Sequence, residues 1–233
     1  MINPAKPEIK AARPRTYTTL WDTIGIQMMM KLWHCKDARS FRVLWTLEEL
    51  GLPYELVNLP FPPRWAQPEY LATNPLGTIP YFEDGPAKMT ESAAICEYLA
   101  VRHGAGTLGV GPDEDDFGAW LNWLHHGEAT LTFPQTLVFR YKMLEKPERR
   151  IPQVAEDYKR WFLARTVLAE NALADGREFL CAGRFTVADI SVAYALLFAG
   201  TLRHLDEVGP NLRAWWDRLQ TRDGFLRAKA AQA

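Results

Sequence analysis

The sequence reads TIPYFEDGPAKMTESAAICEYL at residues 78–99, and this stretch decides how the first domain folds. Two short strand-like runs, TIPYF and PAKM, flank the turn Glu83-Asp84-Gly85, which predicts a β-hairpin. A helix is expected to follow from Glu91 to about Arg102, because apolar residues recur there with helical periodicity. The stretch therefore predicts strand, turn, strand and helix in direct succession.

The sequence before this stretch predicts the rest of an α/β domain. KLWHC at residues 31–35 is typical of a strand, a helix begins near Ser40, and YELVNL at residues 54–59 is typical of a second strand. A short helix is expected near residues 66–72. Two strands joined through a helix are usually parallel, so the order β-α-β-α-β-β-α predicts an α/β domain over residues 29–104.

A second, all-α domain is expected over residues 113–233, after a linker at residues 105–112. Strand-like alternation ends there, and long helical patterns replace it. One helix start is marked sharply, because Thr186 and Asp189 have the spacing of a capping box. Pro134 interrupts the first long helical pattern of this domain and is expected to bend the helix.

Composition limits the kinds of partner that the protein can have. Of its 233 residues 48% are hydrophobic, and a net charge of -1 with a pI near 6.5 argues against binding to nucleic acid or an anionic membrane. No apolar run approaches the ~20 residues of a membrane helix. The cysteines and histidines show no metal-binding spacing, so no metal site is predicted, and a reducing cytoplasm is the expected location.

Residues 1–28 lack the periodicity that would bury one face of a helix or strand. They are expected to form a disordered tail. Met28, Met29 and Met30 directly precede the first strand, so a translation start at that point is the alternative. A targeting segment is disfavoured, since the stretch has neither a continuous apolar core nor an amphipathic stripe.

Ile79 and Pro80 raise the first question of function. Proline has no N–H, and an X-Pro bond adopts the cis form far more easily than other peptide bonds do. The N–H and C=O of Ile79 can then turn outward and pair with an extended peptide ligand, as strands pair at a sheet edge. The alternative is a proline that merely begins an edge strand.

Glu91 and Ser92 stand where the next helix begins. Unpaired N–H groups and the helix dipole attract a carboxylate to such a position, and the Ser92 hydroxyl can donate one more hydrogen bond. Glu91, as an ionised acceptor, can bind an ammonium group. The pair therefore suits a zwitterionic amino-acid end, although ordinary capping by Thr90 also explains the pattern.

The segments NPLGTIPYF, TESAAICEYLA and ARSFRVLWTLEELGLPYELV, in this order of strands and helices, resemble the glutathione transferase family. The resemblance covers about residues 30–225 and is strongest to bacterial and fungal-type members. It implies a thioredoxin-like domain followed by an all-α domain, reduced glutathione as the co-substrate, and a homodimer. The candidate glutathione-binding residues are then Thr78, Ile79, Pro80, Glu91, Ser92 and Arg39.

The residue that activates the thiol is where the resemblance weakens. Family members have a Tyr, Ser or Cys between the first strand and the first helix, whereas this protein has Asp37 or Ala38 at the matching position. Ser40, Cys35 and Arg39 are the available substitutes, and Ser40 is preferred. Ser40 is equally well explained as a helix N-cap, and Cys35 as an inert buried thiol. The N–H groups that open the first helix are a further way to hold a thiolate.

A small apolar electrophile needs apolar walls above the thiol. The interrupted helix supplies aromatic side chains at helical spacing for this role, although the same spacing suits a core: Trp120, Trp123, Phe133 and Tyr141. The leading hypothesis is conjugation of the glutathione thiolate to such an electrophile. The alternatives are a glutathione-dependent thiol-disulfide reductase that uses Cys35, and a non-catalytic member that acts as an interaction or ligand-carrier protein.

Overall fold

The structure is a computed structural model that describes residues 29–104 and 106–233. The expected tail at residues 1–28 and Ala105 of the expected linker lie outside the described residues. No helix in the described part of the protein has the length and apolar character that crossing a membrane requires.

The first domain contains one four-stranded sheet. Its strands are β1 (Met30–His34), β2 (Tyr54–Asn58), β3 (Tyr81–Asp84) and β4 (Ala87–Met89). They lie in the order β2-β1-β3-β4, with β1 and β2 parallel and the other two pairs antiparallel. The tight turn from β3 to β4 contains Gly85, whose positive φ of 57° suits glycine. The predicted parallel pair and hairpin are confirmed.

Three α-helices accompany the sheet: α1 (Ser40–Leu50), α2 (Pro63–Ala66) and α3 (Ser92–Arg102). The sequence predicts one helix near residues 66–72, but α2 ends at Ala66 and a separate 3-10 turn covers Pro68–Ala72. The reason is Pro68, which disfavours a helical conformation at the residue before it. Gln67 accordingly has an extended φ of -145°. The predicted α3 is confirmed, with its first helical residue at Ser92 rather than at Glu91.

The remainder of the described protein is helical. Its α-helices are α4 (Phe117–His125), α5 (Phe133–Phe139), α6 (Pro152–Leu173), α7 (Val187–Thr201), α8 (Pro210–Leu219) and α9 (Asp223–Ala231). The predicted capping box at the start of α7 is confirmed. The Thr186 hydroxyl accepts from the N–H of Ala188 at 3.2 Å, and the Asp189 carboxylate accepts from the N–H of Thr186 at 2.9 Å.

The helix that Pro134 was expected to bend changes geometry before it reaches the proline. A π-helical segment at His126–Thr132 joins α4 to α5, and a second one follows α5 at Arg140–Leu144. Gly127 lies in the first segment against α7, so closely that a Cβ there would stand 2.4 Å from the hydroxyl oxygen of Ser191. The helix therefore changes from α to π geometry where Gly127 packs closely against α7. Pro134 lies after this segment, in α5.

Buried aromatic side chains join the two domains through α1. The ring of Trp45 lies 5.0 Å from that of Phe225 in α9 and 5.8 Å from that of Phe185, and Phe41 lies 5.6 Å from Phe225. These residues belong to one hydrophobic cluster that extends from the sheet into the helical domain. Because α1 is packed on both sides, its amino-terminal end is fixed relative to both domains.

Candidate functional site

The N-terminus of α3 forms one side of the candidate site. Glu91 has an extended backbone, with φ -90° and ψ 113°, and its side chain is exposed. Ser92 is the first helical residue and is buried. No side chain among the described residues caps this end of α3. The alternative explanation, ordinary capping by Thr90, therefore does not apply. The orphan N–H groups of α3 remain suited to an anion.

A buried arginine forms a hydrogen bond to the Ser92 hydroxyl. Arg42 in α1 is fully buried and donates from Nη1 to the Ser92 Oγ at 3.2 Å. No local pattern pointed to this contact, because 50 positions separate the two residues. Since Arg42 can only donate, the hydroxyl must accept this bond, and its own proton stays available for a ligand.

Arg42 also belongs to a charge network that joins the two domains. Its Nη1 lies 2.6 Å from Oε2 of Glu128 in the π-helical segment, and Arg39 Nε lies 2.7 Å from Oε1 of the same carboxylate. Burial acts to raise the pKa of Glu128, but the charges and hydrogen bonds of the two guanidinium groups outweigh it and hold the pKa below its ordinary value. Two cations share one carboxylate here, so the three-residue cluster has a net positive charge, and its Arg42 contacts α3 through Ser92.

Arg39 keeps part of its guanidinium accessible. Its side chain is 30% exposed, with Nε on Glu128 and Nη2 donating to the Thr136 Oγ1 at 2.8 Å. The second amino nitrogen, Nη1, has no hydrogen-bond partner among the residues described. Arg39 therefore has one donor group left for an anion at the start of α1.

Ile79 presents its backbone outside the sheet. The Ile79–Pro80 bond is cis, and the pairing of β3 with β1 begins only at Tyr81. Neither the N–H nor the C=O of Ile79 has a hydrogen-bond partner within the described ranges. The carbonyl of Thr78 just before it accepts from Tyr70 Oη and Asn74 Nδ2, both at 2.8 Å. Thr78 thus anchors this turn, while Ile79 keeps both groups free for a strand-like partner.

The β1–α1 loop, defined as residues 35–39, leads into Ser40 and holds the candidates for thiol activation. Ser40 is the first residue of α1, and its buried Oγ accepts from the N–H of Cys35 at 3.3 Å. Cys35 is fully buried, and burial raises its pKa to about 12. This is the opposite of the lowered pKa expected for a thiol near a helix N-terminus. Both side chains therefore point away from solvent and support the loop.

The four aromatic residues expected to form an electrophile pocket do not lie together. Trp120 and Trp123 are buried in the main hydrophobic cluster, because they occupy the core-facing side of α4. Phe133 is 55% exposed and lies with Tyr158 and Trp161 in a surface pocket of about 310 Å³ against α6. Tyr141 lies in the second π-helical segment beside Arg140. In this arrangement the two tryptophans contribute to the core rather than to a pocket wall.

A different row of aromatic rings bridges the two domains. Phe61, after β2, lies 5.9 Å from Phe139 at the end of α5, and Phe139 lies 5.9 Å from Phe198 in α7. Phe198 stacks on Tyr194 at 6.3 Å, and the Tyr194 hydroxyl donates to the backbone C=O of Asp37 at 3.3 Å. The four-residue spacing of Tyr194 and Phe198 was the only local signal for this aromatic row.

The fold and this site define a two-domain protein with a thioredoxin-like first domain and a helical second domain. The model of the glutathione S-transferase N-terminal domain matches residues 28–101, and that of the C-terminal domain matches residues 146–218. The glutathione S-transferase hmp2 of Hypomyces subiculosus is 33% identical over 216 residues, which are 99% of that protein and 87% of this one. The chain therefore belongs to the glutathione S-transferase family.

Two further relatives agree with this assignment. Glutathione S-transferase F10 of Arabidopsis thaliana is 28% identical over 97% of its own length and 87% of this protein. The structure of the glutathione transferase URE2P6 from Phanerochaete chrysosporium, solved in complex with oxidized glutathione, superposes with a TM-score of 0.76 at 26% identity. The match covers 98% of that protein and 90% of this one.

Proposed function

We propose that this protein conjugates the thiolate of reduced glutathione to small apolar electrophiles. The observation that carries the proposal is the N-terminus of α3, where Ser92 is supported by the buried Arg42 and Glu91 is exposed beside it. Three features favour a carboxylate there: the helix dipole, the proton of the Ser92 hydroxyl and the guanidinium of Arg42, which donates to that hydroxyl. Family membership identifies glutathione as the molecule to test first.

The tripeptide fits the groups that the site leaves free. Its γ-glutamyl carboxylate would bind the α3 N-terminus and Ser92, and its ammonium group would bind Glu91. Its cysteinyl backbone would pair with the N–H and C=O of Ile79, in the manner of an added strand. Pro80 fixes the direction of the backbone after Ile79, and Thr78 holds the turn through its carbonyl.

The thiolate would lie at the start of α1. A shift of the thiol pKa by about two units requires ~2.7 kcal/mol, which is within reach of one or two charge-assisted hydrogen bonds. Ser40 Oγ and the Cys35 thiol are buried, and the N–H groups of Phe41 and Arg42 already donate to the carbonyls of Ala38 and Arg39. The better candidates are the N–H groups of Arg39 and Ser40 and the Nη1 of Arg39, which have no partner among the described residues. This assignment replaces the preference for Ser40, which the sequence suggested.

The electrophile would lie against the aromatic row. Phe61 is 50% exposed, and the row ends at Tyr194 beside Asp37, so it reaches the β1–α1 loop from the domain boundary. With an aryl halide the thiolate sulfur forms a bond to the ring carbon, the carbon–halogen bond breaks, and the halide leaves with its electron pair. The thiol proton passes to solvent. The protein contributes orientation and a stabilised thiolate.

Of the two alternatives, the reductase receives less support. A reductase that uses Cys35 needs an accessible thiol of low pKa, whereas Cys35 is buried and its pKa lies near 12. A non-catalytic role is an outcome of the experiment below. Homodimerisation, a cytoplasmic location and the division into residues 29–104 and 113–233 belong to the proposal as well.

The experiment is calorimetric titration with reduced glutathione, paired with turnover of 1-chloro-2,4-dinitrobenzene. Glu91→Gln is the test variant, and Glu97→Gln on the same helix is its matched control, since Glu97 lies beyond the first turn. We expect Glu91→Gln to weaken glutathione binding about tenfold, through loss of roughly 1.4 kcal/mol of charge-assisted bonding. The control variant should bind as the unmodified protein does.

Three results would separate the hypotheses. Binding without turnover of the aryl halide would favour the carrier role over the transferase. Turnover that survives in Cys35→Ser would exclude a mechanism through that thiol. Absence of any heat of binding from a folded sample would overturn the proposal.

A further inference from the structure

Asp37, one of the two residues expected at the position where family members activate the thiol, has an unusual backbone conformation. Its φ is 54°, in the left-handed region that residues other than glycine rarely adopt. Asp is among the residues that tolerate this region best, but the surrounding structure must still hold it there. The contacts of Asp37 therefore determine the shape of the β1–α1 loop.

Two residues from the α9 end of the protein hold Asp37. Lys229 Nζ lies 2.7 Å from Asp37 Oδ1, and Gln232 Nε2 donates to the same oxygen at 2.6 Å. The N–H of Asp37 in turn donates to Gln232 Oε1 at 3.0 Å. The amide of Gln232 thus binds both the carboxylate and the backbone of Asp37, which fixes the residue in orientation as well as in position.

Gln232 also connects the loop to β1. Its Oε1 lies 2.9 Å from His34 Nε2, and both side chains are buried. Because an amide oxygen can only accept, this contact requires the proton of a neutral His34 to be on Nε2. Burial lowers the pKa of His34, although the hydrogen bond to Gln232 opposes this, so the neutral ring is favoured. One amide therefore sets the end of β1 and the loop that follows it.

We propose that Gln232 and Lys229 are positioning residues for thiol activation. They act through Asp37, which fixes the β1–α1 loop and with it the N–H groups of Arg39 and Ser40 and the Arg39 guanidinium at the start of α1. This inference rests on the proposed function and deepens it. It gives a role to the acidic residue that precedes Ala38 in this loop: the Asp37 carboxylate anchors the loop to the α9 end of the protein, and the activating donors come from the residues that follow.

The test is the pH dependence of kcat/KM for glutathione conjugation, together with the ultraviolet absorbance of the bound thiolate. Gln232→Ala should raise the apparent pKa of the bound thiol by about one unit, which reduces turnover roughly tenfold below that pKa. Lys229→Met, at a partly exposed position, should shift it in the same direction. Lys229→Arg should restore the pKa of the unmodified protein, because it keeps a cation opposite Asp37.

Arg227→Met is the matched control. Arg227 also lies on α9 and forms an ion pair with Glu48 of α1 at 3.0 Å, but it does not touch the loop. It should change stability without moving the thiol pKa. If Gln232→Ala and Lys229→Met reduce stability as the control does and leave the thiol pKa unchanged, the two residues are merely structural and the inference is overturned. Absence of a thiolate signal from the unmodified protein would overturn the proposed function and this inference with it.

Discussion

The Nη1 group of Arg42 lies 3.2 Å from the hydroxyl oxygen of Ser92, and it is also 2.6 Å from Glu128 in the other domain. A fully buried guanidinium thus connects the proposed carboxylate-binding hydroxyl to the boundary between the domains. A buried cation is stable only when its donors are satisfied, and here the Thr132 hydroxyl and the carbonyls of Gly127 and Ser191 complete its partners. Glutathione affinity and domain packing should therefore share a dependence on Arg42.

Replacing Arg42 by methionine should affect both properties. Loss of the network is expected to lower the free energy of unfolding by roughly 3 kcal/mol, because buried polar partners remain unsatisfied. Glutathione binding should weaken about tenfold, since the Ser92 hydroxyl loses its donor and the carboxylate loses a nearby cation. Denaturant unfolding and calorimetric titration measure the two effects.

Arg222→Met provides the comparison for Arg42→Met. Arg222 forms an ion pair with Glu49 of the same helix α1, at 2.8 Å, and does not approach Ser92. It should reduce stability and leave the glutathione Kd within about twofold. Equal weakening of glutathione binding in both variants would contradict a specific role of Arg42 at Ser92. If Arg42→Met does not fold, Thr132→Val removes one partner of Arg42 and permits the same comparison.

The fold could be predicted from the sequence because its signals are local. The Asp84-Gly85 turn, the helix start after Glu91 and the capping box at Thr186 each depend on a few neighbouring residues. Prediction was weaker where one local signal competed with another, as at residues 66–72, where Pro68 divides the helix.

The candidate site could be predicted only in part, for the same reason. The groups at Ile79, Glu91 and Ser92 follow from short motifs. The role of Arg42 could not be recognised from its neighbours in sequence, because its partner Glu128 lies 86 positions away. Nothing in the sequence distinguishes a buried arginine on a helix from an exposed one. The aromatic row depends on how α5 and α7 pack, and periodicity alone could not distinguish a core tryptophan from one that lines a pocket.

The thiols of the native protein should be unreactive. Burial raises the pKa of Cys35 and Cys181 to about 12 and that of Cys96 to about 11. At pH 8 about one thiol in a thousand or fewer is then ionised, and access is also blocked. We expect Ellman's reagent to titrate almost no thiol in the folded protein and all three cysteines after unfolding in guanidinium chloride. Rapid release of one equivalent from the folded protein, lost in Cys35→Ser, would instead favour the reductase hypothesis.

The aromatic row predicts which substitution affects the electrophile. Phe139→Ala removes the ring between Phe61 and Phe198, so kcat/KM for an aryl halide should fall roughly tenfold through lost apolar contact, while the KM for glutathione should hardly change. Phe133→Ala is the control at the other end of α5, where the ring faces α6. Steady-state kinetics with each substrate varied in turn measures both parameters. A larger effect of Phe133→Ala than of Phe139→Ala would place the electrophile elsewhere.

His204 should make the stability of the protein depend on pH. The ring is buried, and burial, with a smaller effect of the Lys159 charge, lowers its pKa from 6.5 to about 4. Between these two values the unfolded polypeptide binds a proton that the folded protein does not, so stability is present above pH 6.5 and is lost as the pH falls toward 4. The loss attributable to His204 between pH 7.5 and pH 5 should be about 2 kcal/mol.

Denaturant unfolding at pH 7.5 and at pH 5 measures this dependence. His204→Gln removes the titrating group, so the difference in unfolding free energy between the two pH values should shrink by about that amount relative to the unmodified protein. His125→Gln is the matched control, because the His125 side chain is exposed and the variant tests whether the effect is specific to the buried His204. Equal pH dependence in His204→Gln and the unmodified protein would show that His204 accepts its proton as readily in the folded state as in the unfolded polypeptide.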